Sequence, residues 1–590
     1  LSTDTATTSA ASRRPDRSSP RPNGQWKIDG KDPLNHNEEL KQADDGLNVR
    51  ERIEQVYSKE GFDSIHSDDL RGRFRWWGLY TQRRPGVPAG AHNSLPPEEV
   101  DDKYFMLRVR IDGGALTTEQ LRVVGQIAVD FARNTADLTD RQNIQLHWVR
   151  VEDVPEIWRR LESVDLGTTE ACGDVPRVIL GSPVAGICAE EIIDPTPVIA
   201  EIARRYIGDS TLSNLPRKYK TAITGHPSQD VVHEINDFGL VGVVHPEHGP
   251  GYDVWVGGGL STNPRLAERL GVFTTEDEAP DVWHAVTQVF RDYGYRRLRQ
   301  KARLKFLLND WGPEKFRQVV EDEYLGHRLR DGLPAPAPSR PGDHVGVHRQ
   351  KDGRYYIGAA PVVGRVNGEL LVKLAELLEA NGSYRLRTTP HQKLVVLDVP
   401  EQNLATVKAG LSELGLDPDP TVFRRSTMAC TGIEFCKLAI VETKTTAQKT
   451  ISALEIRLAD VADQLPERLT LHINGCPNSC ARIQTADIGL KGQLLPDPDG
   501  EKTPGFQVHL GGGLASSDRE DPGLGRTVRG LKVTVEGLVD YTEALIRRYL
   551  ATRDSSNETF AAWAHRVDED HLQLEEPEPQ LEEPQKETVS

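Results

Sequence analysis

A chain of 590 residues, 37% hydrophobic and 27% charged, has enough apolar material for several packed domains, and its six cysteines are too few for a disulfide-stapled scaffold. The formal charge of −17 gives no support to general nucleic-acid binding, which relies on neutralising phosphates. No apolar run approaches the ~18 residues of a membrane helix, and the start lacks a signal-peptide core, so a cytoplasmic protein with no membrane or nucleic-acid partner is expected.

The chain opens on a polar, arginine-bearing stretch that reads as a tail. Residues 116–132 carry apolar positions at helical spacing, and residues 143–149 then alternate like a strand. Next come Asp237-Phe238-Gly239-Leu240-Val241-Gly242 and, after a short gap, Gly257-Gly258-Gly259-Leu260. Residues 295–325 read as helices interrupted at Gly312-Pro313, and the prolines from Pro334 to Pro341 mark an extended connector. Beyond it the order repeats: a helical stretch over 367–382, a strand over 391–397, then Asp487-Ile488-Gly489-Leu490-Lys491-Gly492 and Gly511-Gly512-Gly513-Leu514. Three ordered matches about 250 residues apart indicate a tandem duplication, whose halves are expected to build a pseudo-twofold structure with a site where they meet. A helix over 535–552 and an acidic tail, with nine acidic residues and one lysine from Asp568 to Ser590, close the chain. The exchange of helices and short strands predicts a mixed α/β (α+β) fold. The GGG segments lack the strand–GxGxxG–helix order of a dinucleotide site.

Four of the six cysteines form two compact pairs, Cys430 with Cys436 (C-x5-C) and Cys476 with Cys480 (C-x3-C). The second pair lies in Asn474-Gly475-Cys476-Pro477-Asn478-Ser479-Cys480, a turn-forming run able to wrap a bound object. Thiolates suit iron–sulfur clusters or zinc, and the five-residue gap fits usual zinc spacing poorly. Spacing alone leaves open an iron–sulfur cluster, a zinc site in a structural or binding protein, or buried inert thiols.

With Asn214-Leu215-Pro216-Arg217-Lys218-Tyr219-Lys220 added, these motifs resemble the ferredoxin-dependent assimilatory sulfite and nitrite reductases, over roughly residues 50 to 565. The resemblance implies a three-domain sirohaem reductase architecture with internal pseudo-twofold duplication. Its expected parts are a tail at 1–45, ferredoxin-like half-domains at 46–165 and 346–415, and a sirohaem-binding α/β domain at 166–330. A linker at 331–345, a 4Fe-4S/sirohaem domain at 416–565 and a tail at 566–590 complete the list. It implies that Cys430, Cys436, Cys476 and Cys480 bind a 4Fe-4S cluster, and that Cys480 also ligates the sirohaem iron. Arg108, Arg177, Lys218 and Lys220 match the basic residues around the substrate anion. Arg141, Gln145, Thr168, Thr169 and Asn474 match residues around the macrocycle, and Tyr80 and Cys172 match a tyrosine–cysteine thioether pair. The implied reaction is six-electron reduction of sulfite to sulfide, with nitrite to ammonium as the alternative and electrons from reduced ferredoxin. Two lysines at Lys218 and Lys220 favour the more highly charged oxyanion. The basic run Arg296, Arg297, Arg299, Lys301, Arg303 and Lys305 is a candidate for cofactor carboxylates or a ferredoxin-docking face. Pseudo-symmetry within one chain favours a monomer.

Overall fold

Thr117 starts the first predicted helix, Thr118–Phe131: its Oγ1 accepts from Gln120 N–H at 3.1 Å, while Gln120 Oε1 accepts from Thr117 N–H at 2.9 Å, a reciprocal cap. Asn367 caps the equivalent helix Gly368–Ala380, accepting from Leu370 N–H at 2.8 Å. The two helices meet at glycines. A Cβ on Gly125 would lie 2.7 Å from the Gly368 carbonyl oxygen, and one on Gly368 would lie 2.4 Å from that of Gly125. Their backbones touch where any side chain would hold them apart.

The computed structural model describes residues 21–338, 342–496, 500, 502–514 and 523–574. Each crossing helix lies on a five-stranded sheet. One sheet runs Leu79–Arg83, Asp101–Val109, Ile144–Val149, Ala136–Leu138 and Arg365–Val366; the other runs Gly346–Arg349, Tyr355–Ala359, Leu394–Val399, Arg385–Thr388 and Ala115–Thr117. In each, the last strand comes from the opposite half of the chain. This exchange covers one edge of each sheet and merges the two half-domains around one apolar core that joins Leu121, Val124 and Leu146 to Leu371, Leu374 and Val396.

Two further sheets repeat one plan. Pro176–Gly181, Tyr219–Thr224 and Phe238–His245 run parallel before Gly249–Val256 turns back, and Thr427–Ala429, Leu471–Asn474 and Ile488–Pro496 run parallel before Lys502–Leu510 does the same. The GGG segments have a packing reason. A Cβ on Gly258 would lie 2.4 Å from the Glu234 carbonyl oxygen, and one on Gly512 would lie 2.4 Å from that of Gln484. The duplication extends to unusual backbone: Gln142 and Gln392, Trp148 and Asp398, Gln229 and Ser479, and Val232 and Arg482 all have positive φ. Local strain recurring at equivalent places is what a duplicated scaffold predicts. The long helix Leu304–Val319 breaks its geometry at Gly312 (φ 75°, ψ 162°), ahead of Pro313.

The first tail differs from its expectation. Trp26–Asp29 and His36–Ala43 are helical, the Arg296 guanidinium sits 3.6 Å from the Trp26 ring centroid, and Glu38 pairs with Arg296 at 2.9 Å and with Lys41 at 2.7 Å. Long-range ion pairs, invisible to local composition, hold this segment down. Phe560–Arg566 and Glu569–Gln573 are likewise helical, while the tail readings for 1–20 and 575–590 lie outside the described residues. No helix among the described residues is long and apolar enough to cross a membrane.

Candidate active site

Both cysteine loops leave the C-terminal ends of neighbouring parallel strands, Thr427–Ala429 and Leu471–Asn474. Cys430 N–H donates to the Ile473 carbonyl at 3.1 Å, Gly475 N–H donates to Cys430 Sγ at 3.2 Å, and Ile440 N–H donates to the Gly475 carbonyl at 2.7 Å. Gly475 is required here, because a Cβ would lie 2.9 Å from that of Ala439. Asn474 differs from its expected place at the macrocycle. Its Nδ2 donates to the Cys476 carbonyl at 2.6 Å and its Oδ1 accepts from Ala481 N–H at 2.9 Å, so the buried amide ties the loop to itself.

The four thiols converge. Burial pushes the Cys430 thiol up to about 12, with further upward pushes from Cys480 and Cys436; burial and the other three cysteines raise Cys476 in the same way. Four sulfurs that disfavour one another's ionisation ask for a multiply charged cation to displace their protons. Cys480 alone of the four is exposed.

Next to Cys480 in sequence, Asn478 and Ser479 border a cavity of about 590 Å³ lined by Arg141, Arg217, Lys218, Lys220, Arg299, Arg303, Lys305 and Arg482. Burial holds Lys218 well below the usual lysine range, followed by repulsion from Lys220 and Arg303; burial and Arg141 bring Lys220 down to about 7. Arg141 falls to about 9, mainly by burial. Its Nη1 donates to Asn236 Oδ1 at 2.6 Å, and its Nη2 to the Val178 carbonyl at 2.8 Å. Crowded, mutually repelling cations are the complement of a macrocycle with eight carboxylates, so the donor set fits sirohaem as the cysteines fit a cluster. Asp237 holds Arg303 through two hydrogen bonds of 2.8 and 2.9 Å, and Asp174 pairs with Arg299. The basic run does not form one exposed face, since Lys301 is exposed while its basic neighbours turn inward. Arg296 is 2% exposed and Lys305 is 3% exposed, and Arg299, Arg303 and Lys305 turn to the cavity.

Arg108 stands opposite Gln145 in the sheet register. Its Nη1 donates to Cys172 Sγ at 3.1 Å and its Nη2 to Gln145 Oε1 at 2.7 Å, while its buried Nε has no partner among the described residues. Gln145 reaches on to Thr431 Oγ1, at 3.5 Å, in the first cysteine loop. Arg177 Nε donates to the Gly173 carbonyl at 2.8 Å. Burial and the neighbouring Cys172 raise the Tyr80 phenol, while Arg177, Arg75 and Arg108 pull it down, so Tyr80, Cys172, Arg108 and Arg177 share one neighbourhood. Thr168 and Thr169 do not line the cavity: Thr168 is 1% exposed, and its Oγ1 accepts from Trp158 Nε1–H at 2.8 Å. Arg217 and Arg482 line the cavity without an assigned role from sequence. Their signals were present, Arg217 inside the Asn214–Lys220 motif and Arg482 two residues after Cys480.

A family model described as the nitrite and sulphite reductase 4Fe-4S domain matches residues 172–329 and 422–583. One described as the nitrite/sulfite reductase ferredoxin-like half domain matches 97–164 and 348–414. A Mycolicibacterium paratuberculosis protein named sulfite reductase (ferredoxin) 2 is 59% identical over 550 residues, covering 93% of this chain and 98% of that one. A Haloferax mediterranei protein named assimilatory ferredoxin-dependent nitrite reductase is 35% identical, covering 87% and 89%. The solved structure of the Mycobacterium tuberculosis NirA protein superposes with a TM-score of 0.91 at 56% identity, covering 94% of this chain and all of that one.

Proposed function

We propose how the site divides its work in a chain that belongs to the nitrite and sulphite reductase family and reduces sulfite to sulfide with electrons from reduced ferredoxin. The observation that carries this reading is four mutually interacting thiols beside a cavity walled by cations, with Cys480 close enough to act on Lys218. Cys430, Cys436, Cys476 and Cys480 would hold the 4Fe-4S cluster, and Cys480, the exposed one, would also meet the sirohaem iron. When bound, this pair supplies six one-electron transfers and the iron at which sulfite reacts. Arg141, Arg217, Arg299, Arg303 and Lys305 would receive the macrocycle's carboxylates. Gln145 holds Arg108 and takes no macrocycle contact of its own in this arrangement.

The remaining work is charge and proton handling. Arg108 and Arg177 are fixed by hydrogen bonds and present a set positive field to the anion. Lys218 and Lys220 are movable, and an ammonium brought down to about 7, as at Lys220, can give a proton and regain it near neutrality. Sulfite needs this, because each oxygen leaves as water and takes two protons with it. Tyr80 and Cys172, which interact in one neighbourhood, would be the thioether pair: forming the C–S bond passes two electrons and two protons to an oxidant such as dioxygen, reduced to hydrogen peroxide, and lightens the joined peptides by two hydrogens. Two unmodified peptides from active enzyme would refute that link.

Sulfite is the preferred substrate because Lys218 and Lys220 together match a dianion, and nitrite reduction is a side activity of the same pocket. The two repeats exchange strands within one chain and so supply both halves of the pseudo-twofold unit, which favours a monomer as the working unit, and a reducing cytoplasm keeps the four thiols available. The test compares sulfide formed from sulfite with ammonium formed from nitrite, using reduced ferredoxin and equal holoenzyme. Nitrite turnover far above sulfite turnover would overturn the assignment.

A further inference from the structure

The duplication places a second copy of the site next to the first, with Val232 and Arg482 common to both cavities. Ile179 pairs with Thr221 and Thr221 with Phe238; Thr427 pairs with Leu471 and Leu471 with Ile488. Since Asp237-Phe238-Gly239 and Asp487-Ile488-Gly489 are repeat equivalents, this register puts Arg425 where Arg177 stands and Arg468 where Lys218 stands. Thr139 and Thr389 confirm the alignment: each Oγ1 accepts from the backbone N–H groups two and four residues later, which sets His391 against Arg141.

Only one of the four cluster cysteines has a cysteine as its counterpart. Cys430, Cys436, Cys476 and Cys480 correspond to Ser182, Cys188, His226 and Asp230. Asp230 takes hydrogen bonds from Ser182 and Thr224 at 2.6 and 2.7 Å and faces His344 Nε2 at 2.7 Å, so polar side chains fill that place with a satisfied network. The basic wall persists. A cavity of about 40 Å³ is lined by Lys393, Arg425, Arg468, Arg482 and two histidines, His391 and His472.

Its charges do not balance. Asp343 pairs with Arg425 at 2.7 Å, and the exposed Glu467 touches Arg425 at 3.1 Å. Among the described residues Arg468 has no ion-pair partner. Arg482, 4% exposed, donates through Nη2 to the Pro390 carbonyl at 2.6 Å, and its buried Nε has no partner. Lys393, also 4% exposed, donates to the His391 carbonyl at 3.0 Å. Four cations thus share the buried Asp343 and the rim Glu467, both engaged by Arg425, with Asp140 acting on Arg482 from the neighbouring cavity; Arg468 is exposed to solvent at the cavity mouth, and the surplus positive charge is what an anion would complete.

We infer that this cavity is a second, non-redox site for a small oxyanion of the sulfite, sulfate or phosphate class, held by Arg425, Arg468 and Arg482. The space admits a few water-sized groups and excludes a macrocycle. Arg482 also lines the larger cavity, so an anion here fixes a wall that both cavities share.

The test uses crystals of the holoenzyme grown without oxyanions and soaked in selenate, whose selenium is located by anomalous scattering. The expected result is a selenium peak between Arg425, Arg468 and Arg482 that disappears in Arg468→Gln crystals soaked alike. In solution, sulfate titrated at constant ionic strength should raise the melting temperature of the holoenzyme, with half-effect weakened about tenfold or more in Arg468→Gln. Sulfite or phosphate should displace the selenium in competition soaks, and the one effective at lower concentration names the preferred source. Wild-type crystals with no selenium at this cavity, or a sulfate response that Arg468→Gln leaves unchanged, would overturn the inference.

Discussion

Glu170, two residues before Cys172, ties the stability of this protein to pH. The side chain is fully buried; Oε2 accepts from Gly208 N–H at 3.0 Å, and Oε1 has no partner among the described residues. Burial pushes its carboxyl up to about 8 from an ordinary 4.5, against smaller downward pulls from Gly208 N–H and Arg110. At neutral pH the folded protein therefore keeps a proton that the unfolded chain has released. The sign follows directly: the stability associated with this proton is complete below pH 4.5 and is lost as pH rises through about 8. Each pH unit in that window costs up to 1.36 kcal/mol, an upper bound of about 5 kcal/mol across it, and relaxation of the buried pocket should leave about 2–3 kcal/mol. Glu170→Gln keeps the shape and the acceptor while removing the titration. Urea unfolding of both holoenzymes, followed by tryptophan fluorescence at about pH 5.5 and about pH 8.5, measures the difference. The wild type should lose about 1.5–2 kcal/mol relative to the variant between those two conditions, which span most of the window. Parallel pH dependence in the two proteins would refute the reasoning.

Cys480→Ser should lose both the iron of the cluster and the visible absorption of the macrocycle while keeping the far-ultraviolet circular dichroism of the fold; iron analysis and spectra on one sample check it. Lys220→Asn should lower kcat/KM for sulfite about 100-fold, by analogy with loss of one charge-stabilising donor, and lower that for nitrite much less; initial rates with reduced ferredoxin decide. Gly125→Val should destabilise the crossing of the two repeated helices by about 1–3 kcal/mol, because the Gly368 carbonyl already occupies the space, and denaturation midpoints would report it.

The amino-acid sequence by itself determined whatever depends on residues near one another along the chain. The C-x5-C and C-x3-C loops, the helices over 118–131 and 368–380, and the break at Gly312 all follow from local spacing and backbone preference. The duplication was legible as well, because a repeated scaffold needs the same turn residues twice, such as the GGG segments that lie against Glu234 and Gln484. Only the tertiary structure decided where the charges went. Arg296 and Arg299 are close neighbours in sequence, yet one is buried against Glu38 and Trp26 while the other pairs with Asp174 at the cavity. Thr168 and Asn474 carry the right polar groups for a macrocycle, but Trp158 and the cysteine loop claim them first. The family resemblance likewise left residues 26–43 in a tail, although distant ion pairs fold them onto the domain. A hydrogen bond or ion pair is allotted by distance in space, and segments hundreds of residues apart settle that distance only when the whole chain has packed.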